Sequence, residues 1–379
     1  MEPTAPSSPD IVIFGHFNAE GGVQRAHANI IKEWVREGYK VELASYRDGV
    51  LFYPQELSQV ISFVDLKVHN KLMAVFKLWL YLKKTRPSVV ISNFHIDNKV
   101  LSYLQYLPNT GVQRFVSLRN NYFRSQRREH SKHIQKLKEI KRLYKNNHGI
   151  ICVSEAITKD LQNHIGPDNV NIYTINNGTI TPETLELAKK PVEHPWLNNS
   201  REFSLLITAG GLRKQKDHIT LIDAIAKVRR NNDCRLLILG EGPLRNELTA
   251  RARELGIEDA IDMPGFVNNP YAWMSRADCF ALSSLWEGFP NVLVEALSLG
   301  TPLVSTDCPS GPKEILQDGR YGKLVPMSDS EALAKAIERT LNGEIERFDP
   351  MEAVEKFTAR YASRSYLEVF GFLVEESSK

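Results

Sequence analysis

Two glutamates eight positions apart, Glu287 and Glu295, bracket a Gly-Phe-Pro turn and an apolar run in the segment SSLWEGFPNVLVE, residues 283–295. Proline at the first position of a helix sacrifices no hydrogen bond, and the amides of an opening helical turn lack intrahelical partners. With Pro290 at that position, the backbone from Gly288 through Phe289 and Asn291 to Val292 forms an anion cradle. Glu287 stands before the cradle and Glu295 at least a turn beyond it, placed to accept hydrogen bonds from ligand hydroxyls. Phosphates at the helix start and hydroxyls further on describe a nucleotide sugar. The plain alternative is a solvated loop carboxylate and a polar-face glutamate.

Other loops offer matching chemistry. The segment Gly210-Gly211-Leu212-Arg213-Lys214-Gln215-Lys216-Asp217 combines flexible backbone with three cations, which suits a diphosphate. Gly240-Glu241-Gly242-Pro243 and Pro264-Gly265-Phe266 add two more glycine turns. Gly21-Gly22 follows an apolar run at Ile11–Gly15 and lets a ligand approach the backbone closely. The full G-x-G-x-x-G dinucleotide pattern is absent there, which speaks against a nicotinamide dehydrogenase. His95 follows another such run, although a lone histidine in that position is more often ordinary loop or core.

Elements that could position these residues alternate along the chain. Short apolar runs at 11–15, 41–45, 60–64, 88–93, 114–118, 149–154 and 170–175 read as buried parallel strands, with helical patterns between them. A second series, at 203–209, 235–239, 260–263, 279–284, 302–306 and 323–325, repeats the pattern. Both series predict doubly wound α/β domains, in which ligands bind at the carboxyl ends of the strands. The domain expectation is 1–185 and 200–350, joined by a proline-containing connection over 179–200. A last helix at about 352–379 is expected to pack back on the first domain.

At 379 residues, two domains are the natural organisation. Hydrophobic content of 42% and charged content of 25% are those of a soluble globular protein. Cys152, Cys234, Cys279 and Cys308 are scattered without disulfide or metal spacing, which fits a reducing, cytoplasmic setting. No secretory signal is expected, and the run Leu72–Leu82, interrupted by Lys77, is too short to span a bilayer. The net charge of +3 hides an asymmetry. Residues 1–190 hold 26 Lys and Arg against 17 Asp and Glu, and Arg114–Lys145 alone holds 11 cations with only Glu129 and Glu139. Such a stretch meets anionic lipid or nucleic acid, or is a solvated helix with Ile134, Leu137, Ile140 and Leu143 as its apolar stripe.

The ordered set GGVQR (21–25), VSEAI (153–157), NNG (176–178), GGLRKQKD (210–217), LGEGP (239–243), PGF (264–266), EGFPNVLVEAL (287–297) and GTPLVSTDCPSGPKEIL (300–316) resembles the family 4 retaining glycosyltransferases. The likeness covers about nine-tenths of the chain, and the E-x7-E element is its most specific part. It implies the GT-B fold, two Rossmann-like domains facing a central cleft, the first for acceptor and the second for donor. It further implies Glu287 on the donor sugar, amides from Gly288 to Leu293 on sugar and diphosphate, and Glu295 on the ribose. Lys216 falls on the phosphate-binding lysine, Gly22 on a loop amide near the diphosphate, and Gly265-Phe266 beside the base. Glu287 and Lys216 are the expected catalytic pair, with Gly210, Gly211, Arg213, Glu241 and Pro290 completing the donor site. Gly21, Gln24, Arg25, His95 and Arg119 are candidates for the acceptor.

The resemblance implies transfer of a hexose or N-acetylhexosamine from a nucleotide sugar, UDP-linked, to a lipid-linked or oligosaccharide acceptor. No cofactor or metal is expected, and no D-x-D motif occurs. The basic stretch 124–145 is then expected to hold the protein at the inner face of the cytoplasmic membrane and not on nucleic acid. This chain departs from the family in two places. An arginine usual five residues before the lysine is Gly211 here, with Arg213 or Lys214 as replacement, and a donor-contacting histidine gives way to Arg119-Asn120. A nucleotide-sugar epimerase or a non-catalytic binding protein on the same architecture are the rival readings.

Overall fold

The computed structural model describes residues 8–15, 22–46, 57, 60–123, 130–166, 170–198, 201–344 and 348–373. The chain divides into two compact units, one formed by Met1–Thr179 with Thr358–Lys379, the other by Ile180–Phe357. Each contains one all-parallel sheet.

The first sheet is built from β1 (Ile11–Phe14), β2 (Val41–Ser45), β3 (Ser62–Asp65), β4 (Val89–Ser92), β5 (Gln113–Leu118), β6 (Gly149–Cys152) and β7 (Ile172–Thr174). Its order is β3-β2-β1-β4-β5-β6-β7. Every residue of β1, β4 and β6 is buried. Successive strand residues point to opposite faces, so burial of all of them means that both faces are covered, and this is why these strands read as unbroken apolar runs.

Helix Ala359–Phe370 closes this unit. Its Tyr366 and Phe370 rings meet Trp34 at 5.7 and 6.0 Å, and the Trp34 indole donates to the Ser363 carbonyl at 3.4 Å. The helix begins at Ala359, not near 352, because Thr358 is extended and its hydroxyl accepts from the Tyr361 amide. Residues 350–357 form a short helix and turn in the second unit. Helix His95–Tyr103 had no periodic signal in the sequence reading; its buried side includes the polar Asp97, Asn98 and Ser102. Of the basic stretch, the described part is helix His130–Leu143 followed by a tight turn at Tyr144–Asn146. Ile140 and Leu143 are fully buried while Ile134 is exposed, so the apolar stripe is covered only towards its carboxyl end.

The second sheet contains β8 (Ser204–Ala209), β9 (Cys234–Leu239), β10 (Ile261–Gly265), β11 (Cys279–Leu282), β12 (Leu303–Thr306) and β13 (Lys323–Val325), ordered β10-β9-β8-β11-β12-β13. The order reverses between β8 and β11, and the crevice at the carboxyl ends of those two strands is where such sheets bind ligands. β11 pairs Cys279 with Leu206 and Phe280 with Ile207, and all four of its residues are buried. The stretch 179–200 is more than a connection. Helix Pro182–Ala188, with proline in its first turn, is tied into the second unit by hydrogen bonds to Asn269, Ser275 and Arg276. With Pro182 at its start and only seven residues, it is too short to display a helical period in the sequence. All four cysteines are free and buried.

Candidate functional site

The loop leaving β8 turns tightly at Lys214–Lys216 and enters helix His218–Val228 through Asp217. Asp217 is left-handed (φ 46°), a conformation aspartate tolerates because its short side chain bonds locally; here it accepts from Thr220 at 2.7 Å. The turn folds Lys216 back over Gly210, where a Cβ would lie 2.9 Å from the lysine Cε.

The loop leaving β11 arrives at the same place. Lys216 Nζ lies 2.7 Å from Glu287 Oε1, with side chains 16% and 7% exposed. Ser284 donates to the same carboxylate oxygen at 2.6 Å, and Gln215 donates to the other at 3.3 Å. Gln215 also donates to the Trp286 carbonyl and accepts from the Leu285 amide, both at 2.8 Å. Ser283 donates to the Lys216 carbonyl at 2.7 Å. The two loops are thus stitched by backbone as well as by charge. Gln215, Ser283 and Ser284 are not among the residues expected from sequence; their one signal there is a polar Ser-Ser pair closing an apolar strand.

Helix Asn291–Ser298 follows, and Pro290 is its cap, not its first residue (φ −77°, ψ 87°). The Leu293 amide donates to the Pro290 carbonyl at 2.9 Å, so its expected place on a diphosphate is already taken by the helix. Among the described residues, the amides of Gly288 and Phe289, ahead of the cap, and of Val292, in the opening turn, meet no backbone carbonyl. The Phe289 ring is buried against Phe357 at 5.4 Å and anchors the turn. Behind it, the Glu287 amide donates to the Pro309 carbonyl at 3.2 Å. Burial, then the neighbouring Glu287 charge, push the Cys308 thiol up to about 12.

Glu295 lies within this helix at 3% exposure and accepts from the Tyr271 hydroxyl at 3.5 Å. The turns after β9 and β10 complete the edge. A Cβ on Gly240 would fall 2.1 Å from the Gly210 carbonyl oxygen, so only glycine permits this backbone crossing, and the Gly240 amide donates to the Gly265 carbonyl at 2.8 Å. Glu241 is exposed and paired with Arg245 at 2.5 Å, which holds its carboxyl below the usual range. Phe266 is exposed beside Gly265. Arg213 is exposed, and its Nε lies 3.5 Å from where a Cβ on Gly211 would stand.

The acceptor candidates lie in the first unit. Gly22 opens helix Gly22–Arg36, on which Gln24 and Arg25 are partly buried; Gly21 and residues 124–129 lie outside the described residues. Arg119 is 5% exposed and committed to the interior instead of facing an acceptor. It donates to Asn177 at 2.7 Å, to Tyr366 at 3.2 Å, to Asn93 and to His27. Burial, then the Arg119 charge, hold the His27 pKa well below its usual value, so a neutral imidazole accepts from the guanidinium. His95 opens helix His95–Tyr103 and bonds the Tyr144 hydroxyl at 2.8 Å and Glu139 at 3.1 Å, while Glu139 pairs with Lys99 at 2.6 Å.

Comparison with known proteins gives two family matches, "Glycosyltransferase Family 4" over residues 20–181 and "Glycosyl transferases group 1" over residues 192–357. An uncharacterised glycosyltransferase of Methanocaldococcus jannaschii is 29% identical over 252 residues, 65% of this chain and 62% of that protein. A Campylobacter jejuni transferase is 34% identical over 176 residues, 44% of this chain and 47% of its own length. Its name gives it as an N-acetylgalactosaminyltransferase acting on a diphospho-undecaprenol-linked sugar. These matches span about half to three-fifths of the relatives' lengths. Among solved structures, Anabaena HepE in complex with UDP superposes with a TM-score of 0.74 at 17% identity, over 96% of this chain and all of that one. At that identity the likeness is one of fold.

Proposed function

The chain belongs to the family 4 glycosyltransferases and has the GT-B fold, and we propose that it transfers a hexose or N-acetylhexosamine from a UDP-sugar to a lipid-linked or glycan acceptor in surface polysaccharide or glycolipid synthesis. The observation that carries this reading is the Lys216–Glu287 pair at the reversal point of the second sheet, beside the opening turn of helix Asn291–Ser298. The UDP bound by the Anabaena neighbour and the carrier lipid in the Campylobacter relative's name support the donor and acceptor classes.

Transfer retains the anomeric configuration and needs no metal in this proposal. The acceptor hydroxyl attacks the anomeric carbon from the face the diphosphate leaves, the carbon–phosphate oxygen bond breaks as the new glycosidic bond forms, and the hydroxyl proton passes to the departing diphosphate. The demand is to stabilise negative charge growing on that diphosphate. Lys216 and the amides of Gly288 and Val292 supply fixed positive ends, each donor contributing roughly 2.7–4 kcal/mol by analogy with oxyanion holes. Glu287, oriented by Ser284 and Gln215, accepts from sugar hydroxyls; Glu295 takes the ribose, and Gly265-Phe266 the base.

The protein works peripherally at the inner face of the cytoplasmic membrane, drawn by residues 124–145. Lys138, Lys141, Arg142 and Lys145 are exposed there, and each well-placed cation contributes about 1 kcal/mol on an anionic leaflet. The test is a panel of nucleotide sugars incubated with lipid-linked acceptors, with and without EDTA, and the product's anomeric configuration read by NMR. Retained configuration and full activity in EDTA are expected. Inversion, or loss in EDTA restored by Mg²⁺, overturns the mechanism; donor isomerised without acceptor makes the protein an epimerase.

A further inference from the structure

Helix Asn291–Ser298 carries Glu295 and follows the Gly288–Pro290 turn, and a later segment of the chain lies along it. Residues 350–357, helix Pro350–Val354 and the tight turn Glu355–Phe357, pack on this helix and meet it at both ends. Beyond its carboxyl end, a Cβ on Gly300 would lie 3.3 Å from Pro350 Cγ. Before its amino end, the Phe357 ring meets Phe289 with centroids 5.4 Å apart and planes tilted by 60°. A helix of 8 residues is about 12 Å long, so one short segment braces its whole length.

Phe357 is itself fixed. Its side chain is buried, and its carbonyl accepts from the Ile180 amide at 3.1 Å, which pins the brace to the first residue of the second unit. Phe289, also buried, stands between Gly288 and the cap Pro290. A second contact closes on the same turn from the loop after β12. A Cβ on Gly311 would overlap Pro290 Cδ and lie 3.4 Å from Phe289 Cα, and Gly311 has φ 106°, so glycine alone permits this approach.

Backbone amides stabilise developing charge to the extent that they are already aimed at it, and a turn that begins with glycine does not hold such an aim unaided. We propose that Phe357 is a positioning residue for sugar transfer: its ring, seated on Phe289, fixes the Gly288–Pro290 turn so that the amides there meet the diphosphate without rearrangement. This role rests on the transferase reading, with the diphosphate at this turn. Phe357 lies outside the E-x7-E segment and acts through Phe289 alone.

A buried ring also packs a core, and kinetics separate packing from positioning. The test compares Phe357→Leu and the milder Phe357→Met with Ile337→Ala, which empties space in a core cluster that includes neither Phe289 nor Phe357. All are assayed well below their melting temperatures. Both Phe357 variants are expected to lower kcat by about tenfold or more. UDP, which carries the charge that transfer develops, should bind more weakly in step, while the donor KM moves less. Ile337→Ala should melt earlier with wild-type kcat and UDP affinity. In a Phe289→Leu background, Phe357→Leu should cost no further activity, because the two rings act as one contact. Wild-type kinetics in both Phe357 variants, an equal kinetic loss in Ile337→Ala, or additive losses in the double variant would each overturn the proposal. Wild type that binds no UDP overturns the transferase reading instead, so titration of the unaltered protein tells the two failures apart.

Discussion

Lys216 Nζ and Glu287 Oε1 are 2.7 Å apart although the residues are 71 positions distant in sequence. The pair joins the loops leaving β8 and β11, neighbouring strands where the sheet order reverses. Both side chains are largely buried, so removal of one leaves the other desolvated without its counter-charge, a loss of about 3–5 kcal/mol for a pair of this kind. Lys216→Ala is expected to lower the melting temperature and reduce kcat by about 10²–10³. The double variant with Glu287→Ala should be more stable than the sum of the single losses implies; strict additivity of the melting data would show the pair to be uncoupled.

Arg213 is expected to serve in place of the side chain absent at Gly211. Its Nε lies 3.5 Å from the Cβ position there, and Gly211 is not among the positive-φ residues, so a side chain at 211 is sterically admissible. Arg213→Ala should weaken UDP binding about tenfold, the order of a charge-assisted contact, and Gly211→Arg in that background should restore it. Calorimetric titration decides: wild-type affinity in Arg213→Ala removes Arg213 from the donor site.

Arg119→Met is expected to destabilise the first unit by roughly 3 kcal/mol, because it strips the buried Asn93, Asn177 and His27 groups of their shared donor. UDP binding by the second unit should be unaffected. Unchanged thermal melting would show that the network contributes nothing to folding.

His218 makes acid sensitivity local. It is buried, and burial, then the Lys216 charge, press its pKa down to about 4. The unfolded chain, titrating near 6.5, binds more protons between those values. The His218 contribution is therefore complete above about pH 6.5 and is lost as pH falls towards 4, roughly 3 kcal/mol in all. Melting temperature against pH should show this decline in wild type and less of it in His218→Phe.

The parts of the site legible in sequence were those with local causes. A strand covered on both faces reads as an apolar run, as in Cys279–Leu282, and its loop carries Glu287 whatever lies beside it. Lys216 was legible as a cation in a glycine turn. Ser284 and Gln215 were not, since a serine and a glutamine in loops carry no period. The Leu293 amide, expected on the diphosphate, donates instead to the Pro290 carbonyl, because the first helical turn closes on a bond three residues back, which no pattern of residue types displays.

What the sequence by itself determined was the alternation of strands and helices, the glycine turns and the family, because each depends on neighbours within a few residues. The tertiary structure decided which distant residues meet. Strand order put Lys216 on Glu287, and a buried guanidinium collected His27, Asn93, Asn177 and Tyr366 from separate elements. It also decided which side of helix Lys71–Thr85 is covered, because a helix apolar on two faces does not encode which of them the fold will bury.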